Sequence, residues 1–254
     1  MQIRKVGAVL ALLFIYCFSC PFFVYADEAL TAADITYYSE NYPPANYFEN
    51  EKFIGVSIDT LRLMWKVLGV AEQNVMVVPW ARAYVNTLQH KNTMLFSMSR
   101  TANREKLFHW VGPIYTAKHV LLSRTDFKHN IKKVEDAFRY PVAAIRNDIS
   151  EIALLNSGFP QHNIAYLNDL NQAMQLLENG RLDLIIISEN SINPIVSDNH
   201  FSRDKFKIVF TVNEHSNYFA FNKETSSEFI EAFKQAFEQI ALEREVIRRK
   251  YGVN

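Results

Sequence analysis

Short apolar runs alternate with amphipathic stretches along most of the chain, and the alternation occurs in two separate sets. The first set predicts three strands and two helices, at residues 34–38, 75–78 and 94–99 and at residues 58–68 and 81–90. The second set predicts the same arrangement, at residues 142–145, 164–166 and 182–187 and at residues 149–156 and 170–177. Strands that alternate with helices form parallel βαβ units. The sequence therefore predicts an α/β fold in two parts, each a parallel-rich sheet flanked by helices.

Some of these patterns are more specific than others. Apart from Asp183, residues 182–187 are apolar on both faces, which is typical of a central parallel strand. Residues 40–50 contain two consecutive prolines and indicate a loop. A long C-terminal helix is expected, with Thr225 and Glu228 as a capping box at its start. Its buried stripe would consist of Phe229, Phe233, Phe237 and Ile240.

Extended segments near residues 115–123 and 210–221 separate the two sets, which suggests two lobes joined by two crossing strands. The expected boundaries are residues 27–118 with 215–254 for lobe 1, and residues 119–214 for lobe 2. A joint of this kind bends, because a few backbone torsions can absorb a rigid-body closure. Ligands of open α/β sheets bind beyond the C-terminal ends of the strands, so the cleft between the lobes is the expected binding site.

The N-terminal residues 1–26 are arranged as an export signal. Arg4 and Lys5 precede an uncharged stretch that runs from residue 6 to residue 26, and cleavage is expected after Ala26. The alternative is an uncleaved membrane anchor, because the uncharged stretch is just long enough to span a bilayer. Both cysteines lie in this segment, so the mature chain would contain no disulfide and no cysteine-ligated metal. We expect a periplasmic protein.

The charge balance and the motif inventory exclude several function classes. The chain has 27 basic and 27 acidic residues, and a balanced charge gives no preference for nucleic acid. The sequence contains no serine-hydrolase elbow, no zinc-binding histidine pair and no phosphate-cradling glycine loop. We therefore expect no catalytic residue, no cofactor and no bound metal, and we expect a monomer.

The most informative stretch for binding runs from residue 96 to residue 115 and reads FSMSRTANREKLFHWVGPIY. Alternation along a strand puts Ser97 and Ser99 on one face, with Thr101 in the following turn and Arg104 one helical turn later. Three hydroxyl groups and a guanidinium group that converge in this way suit a carboxylate ligand. The alternative is that Arg104 is a surface residue that caps a helix or pairs with Glu105.

This stretch resembles the S-x-S-x-T-x-x-R segment of the family 3 extracellular solute-binding proteins, which serve polar-amino-acid ABC transporters. The resemblance extends from about residue 35 to residue 252. Further blocks agree in order and spacing, namely Tyr42-Pro43-Pro44, Phe53-Ile54-Gly55 followed by Asp59, Gly180-Arg181-Leu182-Asp183, and Tyr251-Gly252.

The resemblance implies a two-lobed periplasmic binding protein fold of type II and a set of ligand contacts. Arg104 would hold a ligand carboxylate with help from Ser97 and Ser99, and the ring of Tyr42 would cover the ligand. Trp80 would form a second aromatic wall or lie buried under its helix. In lobe 2 the resemblance implies contacts from a strand-to-helix turn that contains Arg146 and Asn147, whereas Asp148 is expected to cap the helix.

One position departs from the family pattern. Members that bind amino acids usually place an acidic side chain at the end of the strand after G-R-L-D, where it pairs with the α-amino group. Here Ser188 stands at that position, and Glu189 follows one residue late. A shift of one residue reverses the facing of a side chain on a strand. Recognition of an α-amino group is therefore open, and another carboxylate or polar metabolite remains an alternative.

The function implied by the resemblance is capture of a small polar ligand for an ABC importer, whose permease would be the partner. A receptor that reports its ligand to a membrane sensor is the first alternative. A dehydratase-like enzyme is the second, with Glu40, Glu189 or His109 as the possible acid or base. For each of these three residues, a solvated loop or helix position is the favoured interpretation.

Overall fold

The structure is a computed structural model, and it describes residues 29–253. The expected export signal, residues 1–26, lies outside the described part of the chain. The strands are β1 Thr36–Ser39, β2 Tyr47–Glu49, β3 Lys52–Ile54, β4 Val75–Val77, β5 Thr93–Ser99, β6 Phe108–Arg124, β7 Val142–Ile145, β8 Ile164–Leu167, β9 Leu184–Ser188 and β10 Phe206–Asn222. The α-helices are α1 Val56–Val67, α2 Trp80–Gln89, α3 Ile149–Asn156, α4 Leu170–Glu178, α5 Ile192–Asp198, α6 Ser227–Gln239 and α7 Ala241–Tyr251.

The two predicted βαβ sets are confirmed. Strand β1 lies between β4 and β5 and pairs with both in parallel, and β7 pairs in parallel with both β8 and β9. Strands β6 and β10 have 17 residues each and pair antiparallel along their whole length. Strand β10 also pairs with β5, and β6 pairs with β9. The result is one continuous sheet of eight strands in the order β4-β1-β5-β10-β6-β9-β7-β8.

The sheet has two ends, and β6 and β10 carry the chain between them. We call β1, β4 and β5 with the helices α1, α2, α6 and α7 the first half of the molecule. Strands β7, β8 and β9 with α3, α4 and α5 form the second half. No helix among residues 29–253 is both long enough and apolar enough to cross a membrane.

Two predicted elements differ from the observed ones. The expected loop at residues 40–50 contains β2, which pairs with β3 in a short hairpin that has no strong alternation to reveal it. The C-terminal helix is interrupted at Ile240, which separates α6 from α7. The cap of α6 is Ser226, whose Oγ accepts from the backbone N of Phe229 at 3.5 Å. The predicted cap, Thr225, instead has a buried hydroxyl that finds no hydrogen-bond partner within residues 29–253.

An aromatic core fixes the first half against β10. The predicted stripe of α6 is buried, and the rings of Phe229 and Phe233 pack on Phe221. Phe219 contacts Phe233 and Phe237 in the same layer. In the second half, β9 is buried along its whole length, as its apolar sequence predicts. Close packing in these two cores makes the ends of the strands rigid, and the candidate site is built on those ends.

Gly55 lies just before α1 in a conformation that L-residues rarely adopt, with φ of 135°. A Cβ atom there would lie 2.3 Å from the carbonyl oxygen of Ala45. We expect the substitution Gly55→Ala to lower the free energy of unfolding by about 2–3 kcal/mol, because it adds a backbone clash to an unfavourable φ. Urea denaturation of both proteins would measure this difference.

Gly69 provides the matched control for this prediction. It also has a positive φ, 72°, but a Cβ atom there would meet nothing within 4 Å. Gly69→Ala should therefore lower the free energy of unfolding only through the unfavourable positive φ, by about 1 kcal/mol. Equal losses for the two variants would contradict the assigned clash with Ala45.

Candidate functional site

The end of strand β5 is irregular, and the irregularity decides where its serines lie. The register between β5 and β10 shifts between Tyr218 and Ala220, and Ser97 has a left-handed φ of 62°. Few residues other than glycine adopt this conformation inside a strand, so the neighbouring contacts must hold it. The bulge therefore sets the direction of the Ser97 side chain.

Both serines are tied to neighbouring polar groups of β10 and the first half. The Oγ of Ser97 lies 2.5 Å from Oδ1 of Asn46 and 2.6 Å from Oγ of Ser57. The Oγ of Ser99 donates to Oδ1 of Asn217 at 3.1 Å. The two hydroxyl groups are thus fixed in place before any ligand arrives, which reduces the entropy lost on binding.

Arg104 is buried, with 2% of its surface exposed. Its Nη1 donates to the carbonyl oxygen of Ser99 at 3.3 Å, and its Nη2 donates to the carbonyl oxygen of Asn147 at 2.6 Å. The guanidinium carbon lies 5.5 Å from the ring centre of Trp80 and 5.3 Å from that of Tyr84. This is a desolvated cation held between two aromatic faces, which strengthens its interaction with any anion that reaches it.

The alternative of a surface ion pair for Arg104 does not hold. Glu105 pairs with Arg100, whose Nη2 lies 2.6 Å from Oε1 of the carboxylate. Burial lowers the pKa of Arg104, because the charged form has lost most of its water. Its Nε is buried without a hydrogen-bond partner among the described residues. The guanidinium group therefore retains an unused donor in a dry environment.

Two bridges join the first half of the molecule directly to the second. The carbonyl oxygen of Asn147 accepts from Arg104 and also from Nε1 of Trp80 at 2.8 Å. Asn147 has a left-handed φ of 60°, in the turn between β7 and α3. The Oη of Tyr42 accepts from the backbone N of Ser188 at 3.1 Å. The structure thus brings five of the predicted site residues into contact across the two halves.

A small polar cavity of about 20 Å³ lies between the two halves. Its lining includes Tyr42, Ser97, Ser99 and Ser188. A cavity of this size holds about one water molecule. At this cavity the two halves are therefore closed on each other, and a ligand larger than water reaches it only if they separate.

Arg146 is the predicted residue that the structure does not bring into this cluster. Its side chain is exposed, and its guanidinium carbon lies 4.9 Å from the ring centre of Tyr166. The neighbouring Asp148 does cap α3, since its side chain accepts from the backbone N of Ser150 at 3.2 Å. Asp148 also lines the cavity, so it faces the site as well as capping the helix.

The sequence favours a solvated loop position for Glu40, and the structure corrects this expectation. It directly follows β1 and lines the same cavity. Loss of water, together with the nearby charges of Asp148 and Asp169, raises the pKa of Glu40 well above its usual range. The position after the C-terminal end of a parallel strand was the available signal, since ligand sites in such sheets form there.

His119 is a second cavity residue that sequence reasoning missed. It lies on β6 beside Ser188 of β9 and is 3% exposed. Burial lowers the pKa of His119 to about 4, so the ring is neutral near pH 7. Its Nδ1 has no hydrogen-bond partner among the described residues. An isolated histidine in a predicted crossing strand carries no sequence signal for such a role.

Comparison with known proteins identifies the family. The family model of the bacterial extracellular solute-binding proteins, family 3, matches residues 35–252. The chain belongs to this family. The resemblance to this family is thereby confirmed, and the fold is that of the type II periplasmic binding proteins. No curated protein sequence matches this chain.

Solved structures of similar fold include both binding proteins and a receptor domain. A histidine kinase sensor domain with similarity to periplasmic binding proteins has a TM-score of 0.77 and 18% identity, and the match covers 86% of this family 3 chain and 96% of that chain. An ancestral arginine-binding protein bound to arginine has a TM-score of 0.73 and 20% identity, with 86% and 98% covered. The amino acid ABC transporter substrate-binding protein AbpA from Streptococcus pneumoniae, bound to L-arginine, has a TM-score of 0.72 and 20% identity, with 86% and 94% covered. At these identities the similarity concerns the fold alone.

Proposed function

We propose that this family 3 protein captures a small polar ligand that bears a carboxylate between two hinged lobes. Lobe 1 comprises residues 27–118 and 215–254, and lobe 2 comprises residues 119–214. Both boundaries fall inside the long strands β6 and β10, where the chain passes from one half of the sheet to the other. Torsion changes at these crossings would open and close the cleft.

The observation that carries this proposal is the buried guanidinium group of Arg104 beside the fixed hydroxyl groups of β5. Arg104 donates to Asn147 across the cleft, and Ser97 and Ser99 line the cavity next to it. A carboxylate that entered the open cleft could take the place of the Asn147 carbonyl and accept two parallel hydrogen bonds from the guanidinium group. Tyr42, Trp80 and Ser188 would then surround the ligand.

The expected partner is the permease of an ABC importer, to which the closed protein would deliver its ligand. Membership of an extracellular solute-binding family supports export to the periplasm, with cleavage after Ala26. It also supports a binding protein rather than an enzyme. A ligand recovered from the protein should therefore be chemically unchanged, which mass spectrometry of the bound and released compound would establish.

A sensory role is the second candidate, and one observation favours it. A histidine kinase sensor domain is among the most similar solved structures. Such a receptor would use the same closure but would pass the closed state to a membrane-bound kinase. Deletion of the gene separates the two roles. Loss of ligand uptake at low concentration would indicate an importer component, whereas loss of the transcriptional response to the ligand would indicate a receptor.

A thermal-shift screen tests ligand capture. Mature protein, residues 27–254, would be heated with common amino acids, organic acids and small peptides. A ligand that binds only the folded state adds about 2.7 kcal/mol of stability at one hundred times its Kd. The expected result is a rise in Tm that grows with ligand concentration for at least one compound that carries a carboxylate.

The control for this screen is the amide of each compound that binds, in which the carboxylate charge is removed. The amide should give a much smaller shift, because it cannot form the charged hydrogen bonds with Arg104. An equal shift from the amide, or no shift from any compound that carries a carboxylate, would overturn the proposed function.

A further inference from the structure

The contacts that hold Arg104 come from both proposed lobes. Its shorter hydrogen bond, of 2.6 Å, is to the carbonyl oxygen of Asn147 in lobe 2. Lobe 1 supplies a bond of 3.3 Å to the carbonyl oxygen of Ser99 and the faces of two rings, those of Trp80 and Tyr84. The bond to Asn147 must break when the lobes separate. The guanidinium group that a ligand meets in the open cleft is therefore held by one long hydrogen bond and by the two rings.

Arg104 needs such support because of its place in the chain. It lies in the loop between β5 and β6, where no helix or strand fixes its backbone. An arginine side chain has many rotamers, and a ligand that fixes it in one of them loses affinity through the lost conformational entropy. A guanidinium group that is held before the ligand arrives avoids most of this loss. The groups that hold Arg104 in the open cleft therefore raise the affinity for a carboxylate.

The ring of Tyr84 is itself fixed by its neighbours. It lies one helical turn after Trp80 on α2, so both rings project from the same face of the helix, with their centres 6.2 Å apart. The buried ring of Phe108, at the start of β6, packs edge-on against Tyr84 with centres 5.7 Å apart. The guanidinium carbon of Arg104 lies 5.3 Å from the centre of the Tyr84 ring, which is close enough for a cation and an aromatic face to attract each other.

The charge of Arg104 is also affected by this neighbour. Burial lowers the pKa of Arg104, and Asp148 and Tyr84 are the main groups that oppose this effect. Tyr84 thus favours the charged form of the guanidinium group, which is the form that binds a carboxylate.

The role of Tyr84 can be separated from closure of the cleft, whereas that of Trp80 cannot. The Nε1 of Trp80 donates to Asn147 across the cleft, so a change at Trp80 would alter closure as well. The ring contacts of Tyr84 are with Trp80, Phe108 and the guanidinium group of Arg104, all of them in lobe 1. Within residues 29–253, the lining of the cavity between the halves does not include Tyr84.

We propose that Tyr84 is a positioning residue for carboxylate recognition. Its ring holds the guanidinium group of Arg104 in the binding orientation while the cleft is open, so that an arriving carboxylate meets donors that are already in place. This inference rests on the proposed function, because Arg104 is there assigned to the ligand carboxylate. Tyr84 acts through Arg104 and not through a contact with the ligand.

The test is a double-mutant cycle measured by isothermal titration calorimetry. The probes are the twenty common L-amino acids and the mono- and dicarboxylic acids of two to six carbons, and the tightest of them is compared with its carboxamide. The cycle consists of the wild type, Tyr84→Leu, Arg104→Ala and the double variant. Affinities too weak for calorimetry are taken from the rise in Tm with ligand concentration.

Three further variants complete the design. Leucine is a good helix former without an aromatic face, and Tyr84→Met, with the same properties, replaces Tyr84→Leu in the cycle if the leucine variant does not fold. Tyr84→Phe keeps the ring and removes only the hydroxyl group. Val85→Ala is the control, because Val85 is the next residue on α2 and is 39% exposed.

Tyr84→Leu should weaken binding of the carboxylate by about fivefold to tenfold and leave binding of the carboxamide nearly unchanged. In the Arg104→Ala background the same substitution should have no further effect, because no guanidinium group is left to hold. Tyr84→Phe should stay within about threefold of the wild type, since the face of the ring is retained. Val85→Ala should not change the affinity.

Three results would overturn the inference and leave carboxylate capture standing. They are an unchanged carboxylate affinity in Tyr84→Leu, equal weakening of the carboxylate and the carboxamide, and an equal loss with and without Arg104. The last two would assign Tyr84 to packing alone. Unchanged affinity in Arg104→Ala, or binding of none of the probes, would overturn the proposed function and this inference together.

Discussion

Replacing Arg104 by alanine is expected to weaken ligand binding by about 2–4 kcal/mol, because it truncates one partner of a buried charge pair. This is a loss of about thirtyfold to nearly one thousandfold in affinity. The reason lies in the environment of the guanidinium group, which is 2% exposed and lies between the rings of Trp80 and Tyr84. A carboxylate without this partner would be transferred from water to a dry site and left unpaired.

Two further variants separate charge from geometry in that experiment. Arg104→Lys keeps the positive charge but loses the planar fork, so it should recover only part of the affinity. Arg100→Ala removes an arginine that pairs with Glu105 at the surface, and it should leave the affinity unchanged. Affinities would be measured by calorimetry on variants whose unfolding in urea has first been compared. An affinity for Arg104→Ala equal to that of the wild type would remove this residue from the site.

The fold was predictable from the sequence because the spacing of apolar residues differs between strands and helices, and it switches at the boundaries between these elements. Every α-helix and strand of the two βαβ sets lies within two residues of its predicted bounds. The hairpin of β2 and β3 was missed because its strands have three residues each and mixed exposure, so no period can be read from them. The interruption at Ile240 was missed because the apolar stripe of α6 runs directly into the next helix.

The site was predictable in part, for two different reasons. Ser97, Ser99 and Arg104 lie close in sequence, so their spacing alone predicts that they converge. Tyr42 and Asn147 could be placed only through the family resemblance, because their contacts join distant parts of the chain. What the sequence does not contain is the direction in which each side chain points.

The direction of the side chains explains the two clearest differences between prediction and structure, which concern Arg146 and Glu40. Arg146 and Asn147 are neighbours, yet the first extends over Tyr166 while the backbone carbonyl of the second meets Arg104. Glu40 follows β1 in a loop that could have faced water, but the amide of Asn46 donates to the Glu40 carbonyl oxygen at 2.6 Å and holds the loop in place. Tertiary hydrogen bonds therefore decide which loop residues reach the cavity.

The largest expected effect on stability comes from Phe219 of β10, which is fully buried. Its ring centre lies 5.7 Å from that of Phe233, 6.2 Å from that of Phe237 and 6.3 Å from that of Phe96. Phe219→Ala should lower the free energy of unfolding by about 3–5 kcal/mol, since it removes buried contacts and leaves a cavity between a strand and a helix. That loss is a large part of the 5–15 kcal/mol that typically stabilises a folded domain.

The consequence for function follows from the neighbours of this ring. Phe96 precedes Ser97, whose left-handed backbone is held by the packing around it. Loss of Phe219 should therefore loosen the β5 bulge and weaken ligand binding even at temperatures where the protein remains folded. Phe48→Ala is the control, because that ring is 48% exposed on the β2 hairpin and its removal should cost well under 1 kcal/mol. Urea denaturation and calorimetry on the two variants would measure both effects, and similar losses of stability would show that the aromatic layer is not what holds the strand end in position.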